Sequence, residues 1–141
     1  MQIVDANVLL YATNLRARDH RASREWLDEA LRGGATVGFA WVVLLTFLRL
    51  STSPTVFPRP LTVERASQDV KAWLEQPSAV LVGPTARHLA LLGGLLAKAG
   101  TAGGLVNDVH LAALALEHGA EVVSFDRDFG RFEGVRWRMP A

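Results

Sequence analysis

The sequence predicts an α/β fold in which a central, mostly parallel sheet is covered by helices on both faces. Short apolar runs alternate with segments of helical periodicity along the whole chain. The apolar runs are mostly continuous, as in strands that are buried on both faces. The 141 residues show no internal repeat and no shift in composition. We therefore expect a single domain over residues 1–141.

The elements of the first half follow from their apolar patterns. Gln2–Asp5 predicts a short buried strand, and Val8–Ala12 begins an apolar helix after a turn. Ala22–Leu31 has apolar residues at helical spacing and is ended by two glycines. A brief extended piece around Thr36–Gly38 then leads to the apolar helix Trp41–Leu50. This half predicts two strands, each followed by helix.

Proline and glycine divide the second half. Prolines make Ser51–Pro60 a loop, after which Thr62 is a candidate cap for a helix that runs to Glu75. Two helical segments follow, separated by a glycine-rich loop. The remaining predicted elements are the strand Ala79–Val82, the helix Thr85–Ala99, the loop Gly100–Gly104, the helix Asp108–His118 and the strands Val122–Phe125 and Val135–Arg138.

Composition excludes several classes of protein. Cysteine is absent, which excludes disulfides, a thiolate zinc site and a thiol nucleophile, and fits a reducing cytoplasm. The longest apolar stretch, Val37–Leu48, is too short to span a bilayer, and we interpret it as a buried helix. No secretory signal is visible before the first strand. We expect a cytoplasmic protein with no membrane partner. The net charge of +1 gives no bulk attraction to nucleic acid.

Acidic residues are expected to meet at one edge of the sheet. Ligands of open parallel sheets bind beyond the carboxyl ends of strands, where the strand order reverses. Asp5 ends the first predicted strand, and Asp126 follows Val122–Phe125, with Asp128 two residues later. Asp108 opens a helix, whose dipole favours the ionised carboxylate. Acids from distant parts of the chain are therefore expected to face one crevice.

Each acid also has a purely structural interpretation. Asp5 could begin a turn with Asn7, and Asp108 could follow an Asn107 cap and stabilise the first helical turn. Asp126 and Asp128 could lie in a solvated loop. Together, however, close carboxylates repel one another unless a cation or a shared proton is present. Hard oxygen ligands without cysteine favour Mg²⁺ or Mn²⁺ over zinc.

Other candidate features are interpreted as structural. The glycine loop lacks the ending of a phosphate-binding P-loop. The exposed-looking arginines and the proline loop are interpreted as solvated surface that could also contact RNA. The aromatic residues are interpreted as core or interface rather than platforms for stacking bases, although Phe57 lies in the proline loop. These features are the histidines His20, His88, His110 and His118, the arginines Arg16, Arg18, Arg21 and Arg24, and the aromatic residues Trp41, Phe47, Phe57, Trp73 and Trp137.

Four segments, in the same order along the chain, resemble the PIN-domain nucleases and more closely the VapC-type toxins. They cover nearly the whole sequence, which makes the likeness more specific than any one motif. The resemblance implies a three-layer α/β/α sandwich and endonucleolytic cleavage of RNA, often tRNA or rRNA. It also implies inhibition by a small VapB-like antitoxin and assembly as a homodimer. The segments are Ile3–Ala12, Thr46–Arg49, Asn107–Ala115 and Val123–Phe129.

The resemblance also implies roles for individual residues. Asp5 and Asp108 would bind the metal ion, and Asp126 would complete the acidic site. Asn7 would orient the first carboxylate or a bound water, and Asp128 would support the acids. Mg²⁺ or Mn²⁺ would be the cofactor, since such an ion activates water and stabilises charge on a phosphoryl group.

Thr46 departs from the family pattern. Glutamate is usual at this place, and threonine cannot supply the missing charge, so we expect weaker metal binding unless Asp128 compensates. The alternative role of Thr46 is a hydrogen bond to a carbonyl of its own helix. Arg49 follows the apolar stretch, and we expect it to be buried with a carboxylate partner. Two interpretations remain open for it: contact with the acids or phosphate, and a helix-end salt bridge.

These residues suggest three candidate functions. The first is a metal-dependent endoribonuclease toxin, carried by the four acidic segments. The second is a PIN-like protein that, through Thr46, binds RNA or an antitoxin without cleavage. The third is a phospho-acceptor domain, which is disfavoured because such domains use a late lysine and the two lysines, Lys71 and Lys98, lie in predicted helices.

Overall fold

The structure is a computed structural model that describes residues 1–100 and 103–141. Within these residues, five strands form one sheet in the order β3-β2-β1-β4-β5. Every neighbouring pair is parallel, which confirms the predicted sheet. The strands are β1 (Gln2–Val4), β2 (Val37–Ala40), β3 (Ala79–Val82), β4 (Glu121–Val123) and β5 (Trp137–Arg138).

Helices cover the sheet in two groups. The first group packs α1 against α2 and α3, and α3 against α4, while α5 packs against α6. Sheet and helices together form the predicted three-layer sandwich. The helices are α1 (Ala6–Thr13), α2 (His20–Glu29), α3 (Trp41–Ser51), α4 (Val63–Leu74), α5 (His88–Ala99) and α6 (Val106–Glu117).

The strand order reverses at β1. From β1 the chain proceeds outward to β2 and β3, and then returns to place β4 on the other side of β1. The backbone N–H of Asp5 donates to the carbonyl of Val123 at 2.9 Å, so the carboxyl ends of β1 and β4 lie side by side. This is the place where parallel sheets bind ligands.

The apolar stretch Val37–Leu48 is a strand followed by a helix, so its interpretation as one buried helix was wrong. The reason is tertiary: β2 pairs with β1 on one side and β3 on the other, and all four of its residues are buried. Gly38 permits this close approach, since a Cβ there would lie 3.0 Å from Cγ1 of Ile3. Helix α3 begins only at Trp41.

Helix ends differ from the predictions at two places and agree at a third. Asn107 is not the cap of α6, because α6 begins at Val106 and Leu105 precedes it without a side-chain capping bond. α1 begins at Ala6, directly after Asp5. The cap at Thr62 is confirmed: its hydroxyl accepts from the backbone N–H of Arg65 at 3.1 Å. Part of the predicted loop Gly100–Gly104, residues 101 and 102, lies outside the described residues.

Most of the aromatic residues that were predicted to be core or interface lie in the core or pack against it. Phe47 is fully buried, and its ring lies 4.9 Å from that of Trp73 in an edge contact. Trp41 is the exception, because it is 53% exposed on α3. In the described ranges no helix combines the length and the hydrophobicity needed to cross a bilayer.

Candidate active site

Asp5 is fixed at the end of β1 by short hydrogen bonds. As the N-cap of α1, it accepts the N–H of Ala6 on Oδ1 at 2.7 Å. Oδ2 accepts the hydroxyl of Ser124 at 2.6 Å and the amide of Asn7 at 3.3 Å. Asp5 thus caps a helix instead of beginning a turn with Asn7, and this structural role coexists with its place at the switch point.

Ser124 and Asn7 tie the ends of β1 and β4 together. Ser124 is fully buried, and its hydroxyl accepts from the Asn7 amide at 3.0 Å and from the backbone N–H of Asp126 at 2.9 Å. The Asn7 side-chain oxygen in turn accepts the N–H of Phe125 at 3.1 Å. The first and last acidic segments thus share one hydrogen-bond network, in which Ser124 is the residue that the sequence reasoning missed. Its position two residues before Asp126, at a strand end, was the available signal.

Three carboxylates converge next to this network. One carboxylate oxygen from each of Asp108, Asp126 and Asp128 lies within 4.8 Å of the others, and all three residues are half-buried. Asp126 caps a short helical turn by accepting the N–H of Asp128 at 2.9 Å, which places both acids on the same side. Asp128 also lies 3.6 Å from the guanidinium of Arg131. The structure therefore brings together acids that are separated by up to 20 residues.

Burial and the crowding of negative charge raise the pKa values of two carboxyl groups. Burial, followed by the charges of Asp126, Asp5 and Asp128, raises the pKa of Asp108 from 3.8 to about 6. Burial also raises the pKa of Asp5, and the Asp126 charge adds to this against the hydrogen bonds from Ser124 and Ala6. Near neutral pH, Asp108 thus ionises against the repulsion of its neighbours, which a cation would relieve.

The donor set fits a hard divalent cation. Carboxylate oxygens are the ligands of Mg²⁺ and Mn²⁺, and opposite ligands of such an ion stand about 4 Å apart. The mutual distances of up to 4.8 Å within the Asp108 group are compatible with that geometry after small movements. The predicted ligand set was Asp5, Asp108 and Asp126. Asp128 is in the compact group and Asp5 lies beside it, close enough for its charge to act on Asp108.

A cavity of about 220 Å³ opens from Asp5 and Asp108 towards α3. Thr46 and Arg49 line its α3 side, and Asn107 and Leu111 line its α6 side. The Thr46 hydroxyl donates to the carbonyl of Val42 at 2.7 Å, the role within its own helix that was the alternative interpretation. Thr46 therefore gives this wall of the cavity no negative charge.

The expectation that Arg49 is buried was wrong. The residue lies in the last turn of α3 and is exposed. No carboxylate of residues 1–100 or 103–141 lies within 4.0 Å of its guanidinium. The apolar stretch misled the prediction because its helical part presents one face to the core and another to solvent. Arg49 adds the positive charge that lies nearest the acids along this wall.

The histidines make contacts within the structure, away from the acidic group. His20 Nδ1 lies 2.8 Å from the carbonyl of Tyr11, and His118 Nε2 lies 2.8 Å from that of Gly83. The Nδ1 of His88 lies 2.5 Å from the Glu117 carboxylate and its Nε2 lies 2.9 Å from His110 Nδ1, which links α5 to α6. These contacts support their interpretation as structural residues.

Comparison with known proteins finds the same family that the acidic segments resemble. The family model of the PIN domain matches residues 3–135. Ribonuclease VapC37 of Mycobacterium tuberculosis is 59% identical over 140 residues, which cover 99% of this chain and 97% of that protein. Ribonuclease VapC33 of the same species is 40% identical over 140 residues, with coverage of 99% and 98%.

Solved structures share the fold at low sequence identity. VapBC2 from Rickettsia felis, bound to a DNA fragment from its promoter, aligns with a TM-score of 0.71 and 18% identity, covering 98% of this chain and 97% of that chain. DNA-bound VapBC from Salmonella typhimurium aligns with a TM-score of 0.69 and 19% identity, covering 99% and 98%.

Proposed function

The chain belongs to the PIN domain family, and on that premise we propose that it is a divalent-metal-dependent endoribonuclease. It would act as the toxin of a toxin–antitoxin pair that inhibits translation by cutting RNA, with tRNA or rRNA as the substrate class. The observation that carries this proposal is the meeting of Asp108, Asp126 and Asp128 beside Asp5 at the point where strand order reverses. The high identity to VapC ribonucleases supports the same activity.

The residues of the site have distinct tasks in this proposal. Asp108, Asp126 and Asp128 would hold Mg²⁺ or Mn²⁺, with Asp5 as a further ligand or as the acceptor that orients a metal-bound water. When bound, such an ion lowers the pKa of water and stabilises negative charge on the phosphoryl group. Asn7 and Ser124 keep the Asp5 carboxylate in one orientation. Arg49 faces the same cavity and would neutralise a phosphate of the RNA.

Partners follow from the same premise. The two solved structures described above are VapBC assemblies, and we propose that this chain likewise pairs with a VapB-like antitoxin. We propose further that residues 1–141 act as a single domain, as a homodimer, in the cytoplasm. These assignments extend the family relation to this chain.

Thr46 favours one alternative function. Its hydroxyl donates a hydrogen bond to the Val42 carbonyl and carries no charge, so the α3 wall supplies no metal ligand. A protein with too weak a metal site would bind RNA or an antitoxin without cleavage. Thr46→Glu would then create cleavage that the natural chain lacks.

The proposal is tested by incubating the purified protein, freed of any partner, with total bacterial RNA. Reactions contain Mg²⁺, Mn²⁺ or EDTA, and parallel reactions contain Asp5→Asn and Asp108→Asn. Discrete fragments that require metal and disappear in both variants support the nuclease. Absence of fragments in either metal, from protein with native circular dichroism, favours the binding-only alternative.

A further inference from the structure

A second cavity is lined, like the acidic one, by residues of α1 and α3. Its volume is about 210 Å³, and its lining includes Leu10, Arg16, Ser51, Phe57, Arg59 and Leu61. The acidic cavity is lined by Ala6 near the start of α1, and the second by Thr13 at the end of that helix. Seven helical residues span about 10 Å. Proteins that hold single strands cover several nucleotides, so one short RNA segment can reach both cavities.

The charges around this cavity suit an anionic ligand. Both ionisable residues in its lining are arginines, Arg16 and Arg59, and both are exposed. In the part of the chain that the structure describes, neither guanidinium has a carboxylate within 4.0 Å. Arginine binds phosphate through two parallel N–H donors. Neither Arg16 nor Arg59 uses its guanidinium donors in an ion pair with a described residue, so these donors remain available for a phosphate.

The interior of the cavity suits a flat, partly polar group. Phe57 is half-buried and contributes an aromatic ring, with Leu10 and Leu61 on the apolar walls. Ser51 is 3% exposed, and its hydroxyl has no hydrogen-bond partner among the described residues. A buried hydroxyl without a partner carries a desolvation cost. The volume is below the roughly 300–1,000 Å³ of pockets for drug-sized ligands, which favours a single ring system.

We propose that this cavity binds one unstacked base of the RNA substrate, with Phe57 stacking on the base and Arg16 and Arg59 contacting the phosphates on either side. The identity of the ligand rests on the proposed function. Phe57 was expected to be core or interface and the arginines to be solvated surface, and the cavity gives both a specific role. Base stacking of this kind tolerates different sequences, because every base has a π face.

Binding of short RNA tests the proposal without requiring cleavage. Fluorescence anisotropy in EDTA measures the affinity of the full chain for ten-nucleotide adenosine, cytidine and uridine oligomers. Phe57→Leu keeps an apolar side chain, though a smaller one, and removes the stacking face, so affinity for the preferred oligomer falls about 5- to 100-fold. Phe57→Trp keeps a stacking face and should bind the oligomer like wild type. Equal affinities of wild type and Phe57→Leu would overturn the proposal.

The phosphate contacts have their own test and control. The slope of log K against log salt is negative, and each lost contact makes it less negative by about 0.7 for single strands, so the double variant Arg16→Gln with Arg59→Gln makes it less negative by about 1.4. Arg87→Gln, an exposed arginine that does not line the cavity, leaves the slope unchanged. Equal slopes for the double variant and Arg87→Gln would contradict the proposal.

An abasic probe separates a base pocket from general attraction. An oligomer that lacks one base at the responsive position binds wild type more weakly, and its affinity is insensitive to Phe57→Leu because the stacked partner is already gone. If the variants keep RNA affinity and lose a protein partner instead, the cavity is a protein-docking site and the proposal fails. If the chain binds RNA in this way but never cleaves it, the base pocket is supported and the proposed nuclease activity is rejected.

Discussion

The hydroxyl of Ser124 donates a hydrogen bond of 2.6 Å to Oδ2 of Asp5, joining residues 119 positions apart in sequence. The same hydroxyl accepts from Asn7 and from the backbone of Asp126. One buried side chain thus sets the orientation of the first acid and the start of the turn that carries Asp126 and Asp128. The geometry of the acidic group depends on this contact between β1 and β4.

Ser124→Ala should therefore impair function while the chain stays folded. Loss of a hydrogen bond that orients a metal-site carboxylate typically costs about 10- to 100-fold in metal affinity or activity. We expect a decrease of that order in kcat/KM for RNA and in Mn²⁺ affinity. Ser23→Ala is the matched control, because Ser23 is also fully buried but its hydroxyl has no hydrogen-bond partner in the described residues. A similar loss in both variants would contradict the positioning role of Ser124.

The stability of the metal-free protein should fall as pH rises through the range in which Asp108 ionises. Its pKa is about 6 in the folded chain, above the ordinary 3.8, so the folded state binds the proton more tightly than the unfolded state. The penalty is absent well below pH 4, grows between pH 4 and 6 and is complete above it. Solvent screening of the half-buried group keeps it below the roughly 3 kcal/mol of the full shift.

Thermal melts in EDTA measure this effect. We expect a higher Tm at pH 5 than at pH 7.5 for wild type, and a smaller difference for Asp108→Asn, which should also melt higher than wild type at pH 7.5. Asp28→Asn, a half-buried acid paired with Arg24, serves as the control and should keep the wild-type pH dependence. A Tm of Asp108→Asn below that of wild type at pH 7.5 would show that the carboxylate is not repelled.

Thr46→Glu should strengthen metal binding. A carboxylate on the α3 wall would face the cavity shared with Asp5 and Asp108 and add a hard oxygen ligand. We expect the Kd for Mn²⁺, measured by calorimetry, to decrease on the order of tenfold. Thr46→Gln has the same size without the charge and should leave the Kd near its wild-type value. Equal Kd values for the two variants would exclude a metal within reach of α3.

Arg49→Gln should weaken RNA binding without changing stability. The side chain is exposed and unpaired among described residues, and substitutions at such positions change the free energy of unfolding by less than about 0.5 kcal/mol. We expect KM to rise and the negative slope of log K against log salt to become less steep by about 0.7. Arg87→Gln, exposed and away from the cavity, is the control. Unchanged KM with a lowered Tm would assign Arg49 a structural role.

The fold and the location of the acids were predictable because both depend on local patterns. Continuous apolar runs marked the strands, and parallel strands must place Asp5 and Asp126 at the same edge. The interpretation of segment 37–48 as one buried helix was wrong because a fully buried strand and a buried helix have the same apolar composition. The extended piece around Thr36–Gly38 and the helix Trp41–Leu50 agree with β2 and α3, and pairing with β1 and β3 extends the strand to Ala40.

The finer features of the site depend on contacts that sequence does not contain. Ser124 contacts Asp5 because β1 and β4 are adjacent, and the sequence shows only that Ser124 lies at a strand end near Asp126. Burial of Arg49 was wrong because the exposed face of α3 also carries apolar residues, such as Leu45 at 59% exposure. The compact grouping of Asp128 with Asp108 depends on the turn that Asp126 caps. Two hydrogen bonds set this turn, from the backbone N–H of Asp126 to the Ser124 hydroxyl and from the backbone N–H of Asp128 to the Asp126 carboxylate.

The dependence of cleavage rate on Mn²⁺ concentration tests the central claim most directly. The substrate is one RNA that wild type cleaves in the experiment with total RNA. Its cleavage is measured under single-turnover conditions with wild type, Asp108→Asn and the control Asp28→Asn. We predict a rate that saturates with Mn²⁺ for wild type and Asp28→Asn, and little or no cleavage by Asp108→Asn at the same concentrations. A wild-type rate that persists in EDTA, or one that Asp108→Asn matches at every Mn²⁺ concentration, would contradict a metal-dependent nuclease built on these carboxylates.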